Sequence, residues 1–228
     1  MQDEVLKHTQ KIHKIARNSD HSFAKKLKEI LIEIFIIVFA VTLSIWLHNW
    51  SEHRSERAEA RDFFADLRND LNKDIQILTE RKKYLNSTLN TYSQINSFTQ
   101  QQLDTASNVN LDFRLSSLKT NDGNYEGFKS SGKIGLIENK KLKKLILQYY
   151  EESLPDLHDI SKYHYTKNLE TLEIISSFDR PQNKLLSAPA FRTKINLDGI
   201  ITQAFVTACD QTIEQATEIS KEIDHELD

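Results

Sequence analysis

The apolar and polar positions are most unevenly distributed over residues 30–47, where Glu33 is the only charged residue. Counted to Trp50, this apolar run has 21 residues, which as a helix is roughly 30 Å long and matches the hydrocarbon core of a bilayer. Trp46 and Trp50 stand at the C-terminal end of the run, where tryptophans anchor helices at a membrane interface. The pattern predicts a transmembrane helix over residues 30–50.

A cleavable signal peptide and a buried core helix are the two alternatives to a membrane anchor. The charged segment 1–29 is longer than the charged region of a signal peptide, and no small-x-small cleavage site follows the run. Charged residues are dense on both flanks, which disfavours a core helix. We therefore expect a retained single-pass anchor.

The charges that flank the predicted span are nearly balanced, with four Lys or Arg within about 15 residues on the N-terminal side and three on the C-terminal side. The side of the membrane that carries the soluble domain therefore stays open. The earlier Lys7, Lys11 and Lys14 favour a cytoplasmic N-terminus.

One face of the predicted span carries a polar series. Helical rotation places five residues within an arc of roughly 80°: Glu33, Ile37, Ala40, Ser44 and His48. Ala40 and Ser44 form a small-xxx-small pair, a spacing that lets two helices approach closely in lipid. This face is the predicted interface of a homo-oligomer, with Glu33 towards the bundle interior or a pore. In the alternative interpretation, Glu33 extends to the lipid headgroups.

Past the span, the sequence to about residue 95 contains neither Gly nor Pro, and apolar residues recur on one side of a single long helix. The seven-residue series is Phe64, Leu71, Leu78, Leu85 and Tyr92. Such a stripe packs either against its own domain or against the same helix of another subunit, and periodicity leaves both open. We expect packing within the domain, because the later helices also need an apolar surface.

A glycine-rich stretch, "TNDGNYEGFKSSGKIGLIENKK", interrupts the helical pattern. Its Ser-Ser-Gly-Lys sequence is not a phosphate-binding loop, because no G-x-x-x-x-G-K-[ST] motif is present. We predict a helix–loop–helix corner in which Gly132 ends one helix, Ile137 enters the core and Asn139 caps the next helix.

The remaining elements are also predicted to be helical, which makes the fold all-α with a membrane-proximal helical bundle over residues 51–228. The predicted helices are a short one near 111–118, one from Asn139 that ends before Pro155, one over 156–177, and a last one from about 190 or 197 to the C-terminus. A loop bounded by Pro181 and Pro189 precedes the last helix.

Candidate chemistry changes this interpretation little. Eight histidines form no H-x-x-x-H or H-E-x-x-H pair and are interpreted as solvated, and Cys209, the single cysteine, as an inert packed thiol. Acids recur every four residues along one helix flank, which predicts a hydrated acidic face or, less simply, a metal strip: Asp62, Asp66, Asp70 and Asp74. We expect no cofactor, no bound metal and no enzyme. A net charge of −3 argues against a dedicated nucleic-acid binder, although a local basic patch stays open.

Two segments, "EIFIIVFAVTLSIWLHNWSEHRSER" and "FKSSGKIGLIENKKLKKLILQYYEE", resemble a family of uncharacterised bacterial single-pass membrane proteins. In that family an NNWNE-R-like exit follows the span and an SSGKLxLIxN-like loop comes later. The matching residues are Glu33, Asn49, Trp50, Glu52, Arg54, Ser130, Ser131, Gly132, Ile137, Asn139, Leu142, Tyr149 and Tyr150. The resemblance implies an anchor followed by a bundle, in the inner membrane of a bacterial cell, and it implies no activity.

The sequence therefore favours a non-enzymatic, membrane-anchored helical protein that contacts membrane lipid, self-associates as a homo-oligomer and binds an unknown protein or small ligand through its bundle. The alternative is a membrane-perturbing effector, for example in phage defence, in which the bundle senses a signal and the spans reorganise. Glu33 and the groove at Ala40 and Ser44 motivate this alternative.

Overall fold

The computed structural model describes residues 10–11, 23–99, 101–102, 115, 117–179 and 181–228, and every regular element within them is helical. The helices are α1 (Phe23–Ser97), α2 (Gly123–Ser130), a 3₁₀ turn (Lys133–Leu136), α3 (Lys140–Gln148), a π turn (Tyr149–Ser153), α4 (Leu154–Ser177), α5 (Gln182–Ser187) and α6 (Pro189–Leu227). The all-α prediction is confirmed, including the single long helix that contains the apolar run and continues to Ser97.

The chain divides into two compact units, residues 1–59 and residues 60–228. In the second unit the apolar stripe of α1 is buried against its own domain, which decides between the two alternatives for that stripe. Leu71, Leu78 and Leu85 are fully buried in the main core. Their partners in that core come from α2, α3, the π turn, α4 and α6, and include Tyr125, Leu142, Ile146, Tyr149, Leu157, Phe205 and Cys209. A smaller core joins Tyr92 and Ile95 to α5 and the start of α6.

Helices α4 and α6 run antiparallel, because Thr171 contacts Asp198 whereas the earlier His164 contacts the later Phe205. The buried face of α4 is unusually polar. Its seven-residue pattern of inward positions is filled by Leu154, Leu157, Ser161, His164, Asn168 and Thr171. Polar groups therefore occupy the helix seam where apolar side chains normally pack, and each needs a partner inside the bundle.

The prediction that a helix ends before Pro155 is wrong, because helical backbone continues from Lys140 through the π turn to Ser177. Proline is tolerated here for a physical reason. It is the second residue of α4 and follows the π turn closely, so a break in the regular α-helical hydrogen-bond pattern already precedes the residue that lacks an N–H.

Two further boundaries differ from the prediction. Residues 117–122 are not helical, and the helix of this region is α2, which begins at Gly123; residues 111–114 and 116 of the predicted helix lie outside the described residues. The stretch between Pro181 and Pro189 contains the short helix α5. The last helix begins at Pro189, close to the earlier of its two predicted starts.

Candidate functional site

The apolar part of α1 carries large hydrophobic side chains that the first unit leaves uncovered. Its most apolar 18-residue window has a mean hydropathy of 2.7, and 6% of that window is buried. Phe35 is 68% exposed, and Trp46 and Trp50 are also exposed. The Arg54 guanidinium lies 5.7 Å from the centre of the Trp50 ring. Among the described residues, this is one helix long and apolar enough to cross a membrane.

Glu33 is buried at 4% exposure, and the Lys11 ammonium lies 2.6 Å from its carboxylate. Neither interpretation from the sequence anticipated this contact, because each gave Glu33 a partner outside the chain. Ile37 and Ser44 are half-buried, whereas Ala40 and His48 are exposed, and the His48 ring lies 3.9 Å from Glu52. The five residues of the predicted face thus differ in exposure, and the Lys11–Glu33 ion pair lies at the N-terminal end of this face.

The corner between α2 and α3 is built by local backbone geometry. Gly132 has φ +76°, a left-handed conformation that glycine adopts without strain, and Ile137 is 2% exposed in the main core. The Asn139 side-chain oxygen accepts hydrogen bonds from the backbone N–H groups of Lys141 (3.0 Å) and Leu142 (3.1 Å). Its amide nitrogen donates to Glu226 at 2.7 Å, which joins the corner to the end of α6.

The acidic flank of α1 is not a uniformly hydrated face. Asp62 and Asp66 are exposed as predicted, but the prediction is wrong for Asp70 and Asp74, which are 7% and 0% exposed. The reason is that the loop before α2 and the first turn of α2 present donors that need acceptors. Asn124 in the first turn of α2 donates through Nδ2 to Asp70 at 2.7 Å, and Asn121 in the loop donates two hydrogen bonds to Asp74.

A tyrosine group adjoins these acids. Tyr149 and Tyr150, which open the π turn, are buried, and the ring of Tyr150 stacks on Tyr125 with centroids 4.3 Å apart. The hydroxyls of Tyr149 and Tyr150 and the Oδ2 atom of Asp74 form no hydrogen bond within ordinary distance among the described residues. Burial is the main cause that raises the pKa of Asp74 and of both tyrosines, and the Asp74 charge adds to it for both tyrosines.

Residues of the α4–α6 seam form a second buried polar group. The Asp198 carboxylate, 2% exposed, accepts hydrogen bonds from Lys194 at 2.7 and 2.9 Å and from Thr171 Oγ1 at 2.6 Å. Lys194 also donates to the backbone carbonyl of Lys167 at 3.2 Å. The buried carboxylate is thus matched by a cation and a hydroxyl, as buried charges require.

The interpretation of every histidine as solvated is wrong for His164, which is 6% exposed and packs against Phe205. Its Nδ1 lies 3.5 Å from the Asn168 amide. Burial, assisted by the nearby Arg81 charge, lowers the pKa of His164 to about 4. Cys209 is fully buried, and burial raises the pKa of its thiol to about 12, so it is a packed thiol with little nucleophilic character.

A signal for these buried polar groups is present in the sequence. Asp74 lies three residues after Leu71 and four before Leu78, which makes it a member of the apolar stripe of α1. His164 likewise follows Leu157 by seven residues. A polar residue at such a position is a candidate for a paired, buried group, whereas counting charges along a flank does not find it.

With this geometry established, one comparison bears on identity. A family model described as a family of unknown function, DUF6090, matches residues 33–205. The chain belongs to the DUF6090 family. The match begins at Glu33 and ends within α6 at Phe205, so the DUF6090 region includes the corner at Asn139 and the buried group at Asp74. No curated protein and no solved structure matches the chain.

Proposed function

We propose that this DUF6090 protein is a non-enzymatic membrane protein of the bacterial inner membrane, anchored by the span 30–50, that self-associates and presents its helical bundle to a protein or small-ligand partner. The exposed apolar surface of α1 carries the proposal. Side chains such as Phe35, Val38 and Phe39 are 57–68% exposed, and each large apolar side chain gains roughly 1.5–3 kcal/mol when it leaves water. A core helix of a soluble protein would be mostly buried.

The arrangement at Glu33 supports a position near a membrane boundary. A lone carboxylate costs about 2.5–3.5 kcal/mol at the centre of a membrane helix and less near its end. The Lys11 ammonium at 2.6 Å offsets the carboxylate charge. Glu33 motivated the membrane-perturbing effector, and this ion pair gives it a structural role instead, so we favour the anchor.

The protonation states and contacts of three buried groups in the bundle weigh against their use in catalysis. His164 is held neutral, and the Cys209 thiol is both buried and hard to ionise. The Asp198 carboxylate is occupied by Lys194 and Thr171. These groups stabilise the bundle and are not available to a substrate from the solvent.

Extraction of membranes with alkaline carbonate tests the anchor. The full chain is expected to remain in the pellet, and a double substitution at the centre of the span, Phe39→Asp with Leu43→Asp, is expected to release it, because each central charge opposes insertion by about 2.5–3.5 kcal/mol. The matched control, Asp62→Asn with Asp66→Asn, changes two exposed acids outside the span and leaves the protein in the pellet. Wild-type protein in the soluble fraction would overturn the proposal. A reporter fused after Asp228 assigns the side of the bundle.

Disulfide crosslinking in membranes tests self-association through the predicted face. Ser44→Cys is expected to form a covalent dimer, whereas Thr42→Cys, about 160° away around the helix, is expected to give little. The wild-type chain is the background control because its only cysteine is buried. Equal yields at the two positions, or no dimer at either, would remove this interface from the proposal.

A further inference from the structure

A shallow groove of about 450 Å³ runs along the outward face of α3 and the π turn. Its residues follow a helical spacing of three and four, so they form one continuous stripe: Lys140, Lys143, Lys144, Leu147, Gln148 and Glu152. The inward face of the same segment carries Leu142, Ile146 and Tyr149, which are fully buried. The segment is therefore amphipathic, and its outer stripe is distinct from the surface that the bundle itself uses.

The charges of this stripe are sorted from end to end. Lys140, Lys143 and Lys144 occupy the N-terminal half, and Glu152 lies at the C-terminal end beside Glu151. Among the described residues no opposite charge lies within ion-pair distance of Lys144 or Glu152. Glu151 differs, because it accepts from Tyr125 and Lys129. Within the described residues, one half of the stripe thus carries the unpaired Lys144, and the other ends in the unpaired Glu152. Lys143 donates to the backbone carbonyl of Gly135 at 3.4 Å.

The order of these charges is self-complementary. Lys144 and Glu152 lie four residues on either side of Gln148, a spacing that keeps all three on one face of the segment. If a second copy approaches antiparallel across a two-fold axis at Gln148, Lys144 of each copy faces Glu152 of the other. Leu147, which is half-buried against the core, then lies next to the axis as an apolar centre. An isologous interface requires this match of one surface with itself.

We propose that the outer stripe of α3 and the π turn is a homodimer surface, occupied by the same stripe of a second copy in antiparallel orientation. The pairing is electrostatic at its ends and apolar at its centre, so its charges fix the register. A single helix face buries less than the roughly 1,000 Å² that a free-standing interface needs. The inference therefore rests on the proposed membrane anchor, which raises the effective concentration of one copy near another.

A cysteine beside the axis reports the pairing. In membranes that contain the full chain, Gln148→Cys is expected to form a disulfide-linked dimer, since the two copies meet at this position. Gln76→Cys is the matched control, an exposed glutamine on α1 outside the stripe. The yield of dimer should fall as ionic strength rises, because the end pairs are screened by salt.

Charge reversal identifies the occupant. In the Gln148→Cys background, Lys144→Glu and Glu152→Lys are each expected to lower the dimer yield about fivefold, because each places like charges opposite each other in both symmetry-related pairs. A mixture of the two variant chains is expected to recover the yield as a heterodimer. The two positions are eight residues apart on one helical segment, too far for an ion pair within a chain, so recovery requires contact between copies.

Other outcomes reject the homodimer. If Glu152→Lys raises the yield while Lys144→Glu lowers it, the lysines meet an anionic partner that is not this chain. If the mixture recovers nothing, or Gln76→Cys crosslinks equally, the stripe is a solvated face. If the protein has no membrane anchor, carbonate extraction leaves it in the soluble fraction, which distinguishes failure of the proposed anchor from failure of the homodimer. Resistance of the buried Cys209 to a thiol reagent checks that each variant is folded.

Discussion

Asn121 and Asp74 are joined by two hydrogen bonds across 47 positions of the sequence: the Asn121 backbone N–H donates to Asp74 Oδ1 at 2.9 Å, and its side-chain amide donates to the same oxygen at 2.7 Å. The bonds attach the loop before α2 to the centre of α1. Asp74 is fully buried. The contact therefore holds the loop in place and also places a carboxylate inside the bundle.

Replacement of Asp74 separates these two effects. Asp74→Ala leaves two donors of Asn121 without an acceptor and is expected to reduce the free energy of unfolding by about 2–4 kcal/mol. Asp74→Asn keeps an oxygen acceptor and removes the buried charge, so the loss should be below about 1 kcal/mol. The rate at which Cys209 reacts with a thiol reagent in increasing urea measures both, because this core cysteine reacts only when the bundle opens.

The pH dependence of the Asp74→Asn comparison follows from the raised pKa of Asp74. The folded state holds the proton more tightly than the unfolded state, so wild-type stability falls as pH rises from the unfolded pKa of 3.8 through the folded pKa. The uncharged variant lacks this loss and should gain stability relative to the wild type as pH rises. A constant difference across that range would show that burial of this charge does not oppose folding.

His164 should make the bundle sensitive to acid. Its folded pKa of about 4 lies below the ordinary value of 6.5. The stability that neutral His164 contributes to the folded state is therefore fully present above pH 6.5 and is lost as pH falls from 6.5 to 4. The loss is of order 3 kcal/mol at most, since one pKa unit corresponds to about 1.4 kcal/mol. His164→Gln should flatten the unfolding free energy over this interval.

The groups that face His164 are Arg81, Asn168, Phe205 and Asp198. The matched control is His158→Gln, which changes a histidine that contacts Thr120 rather than the seam. This control should keep the acid-dependent loss. If His164→Gln and the wild type lose equal stability between pH 6.5 and 4, the acid sensitivity comes from other groups.

Asn139 is expected to stabilise the start of α3 through its cap. Asn139→Ala removes the acceptor for two backbone N–H groups and should lower the free energy of unfolding by about 1 kcal/mol. Asn139→Ser restores a capping oxygen but not the hydrogen bond to Glu226, so it should recover only part of the loss. Equal losses for the two variants, measured by thermal unfolding in detergent, would assign the effect to Glu226.

Leu78→Ala tests which copy of the chain buries the α1 stripe. Leu78 is 0% exposed and lies in the main core of its own chain. Truncation to alanine should therefore lower the free energy of unfolding by about 2–5 kcal/mol. The loss should not depend on protein concentration. Gln76→Ala, at an exposed neighbouring position, should change stability by less than about 0.5 kcal/mol. A loss that disappears at high concentration would place the stripe between subunits.

Several features could be predicted from the sequence because they depend on residues that are close together in the chain. The apolar run, the scarcity of Gly and Pro and the seven-residue stripe predicted helices because each signal depends on residues within a few turns. The cap at Asn139 and the left-handed turn at Gly132 are equally local. The predicted helix end before Pro155 was wrong because the helix continues through a π turn, which has no clear sequence signal.

Only the tertiary structure decided which polar residues are buried and what they meet. Asp70 and Asp74 share spacing and charge with Asp62 and Asp66. The loop before α2 and the first turn of α2, some 50 residues later, bond Asp74 and Asp70, whereas Asp62 and Asp66 stay exposed. Lys11 likewise reaches Glu33 from a separate segment. The sequence by itself determined the helices and the apolar run of α1, because periodicity acts at short range. Partners distant in sequence were set by packing, which periodicity does not encode.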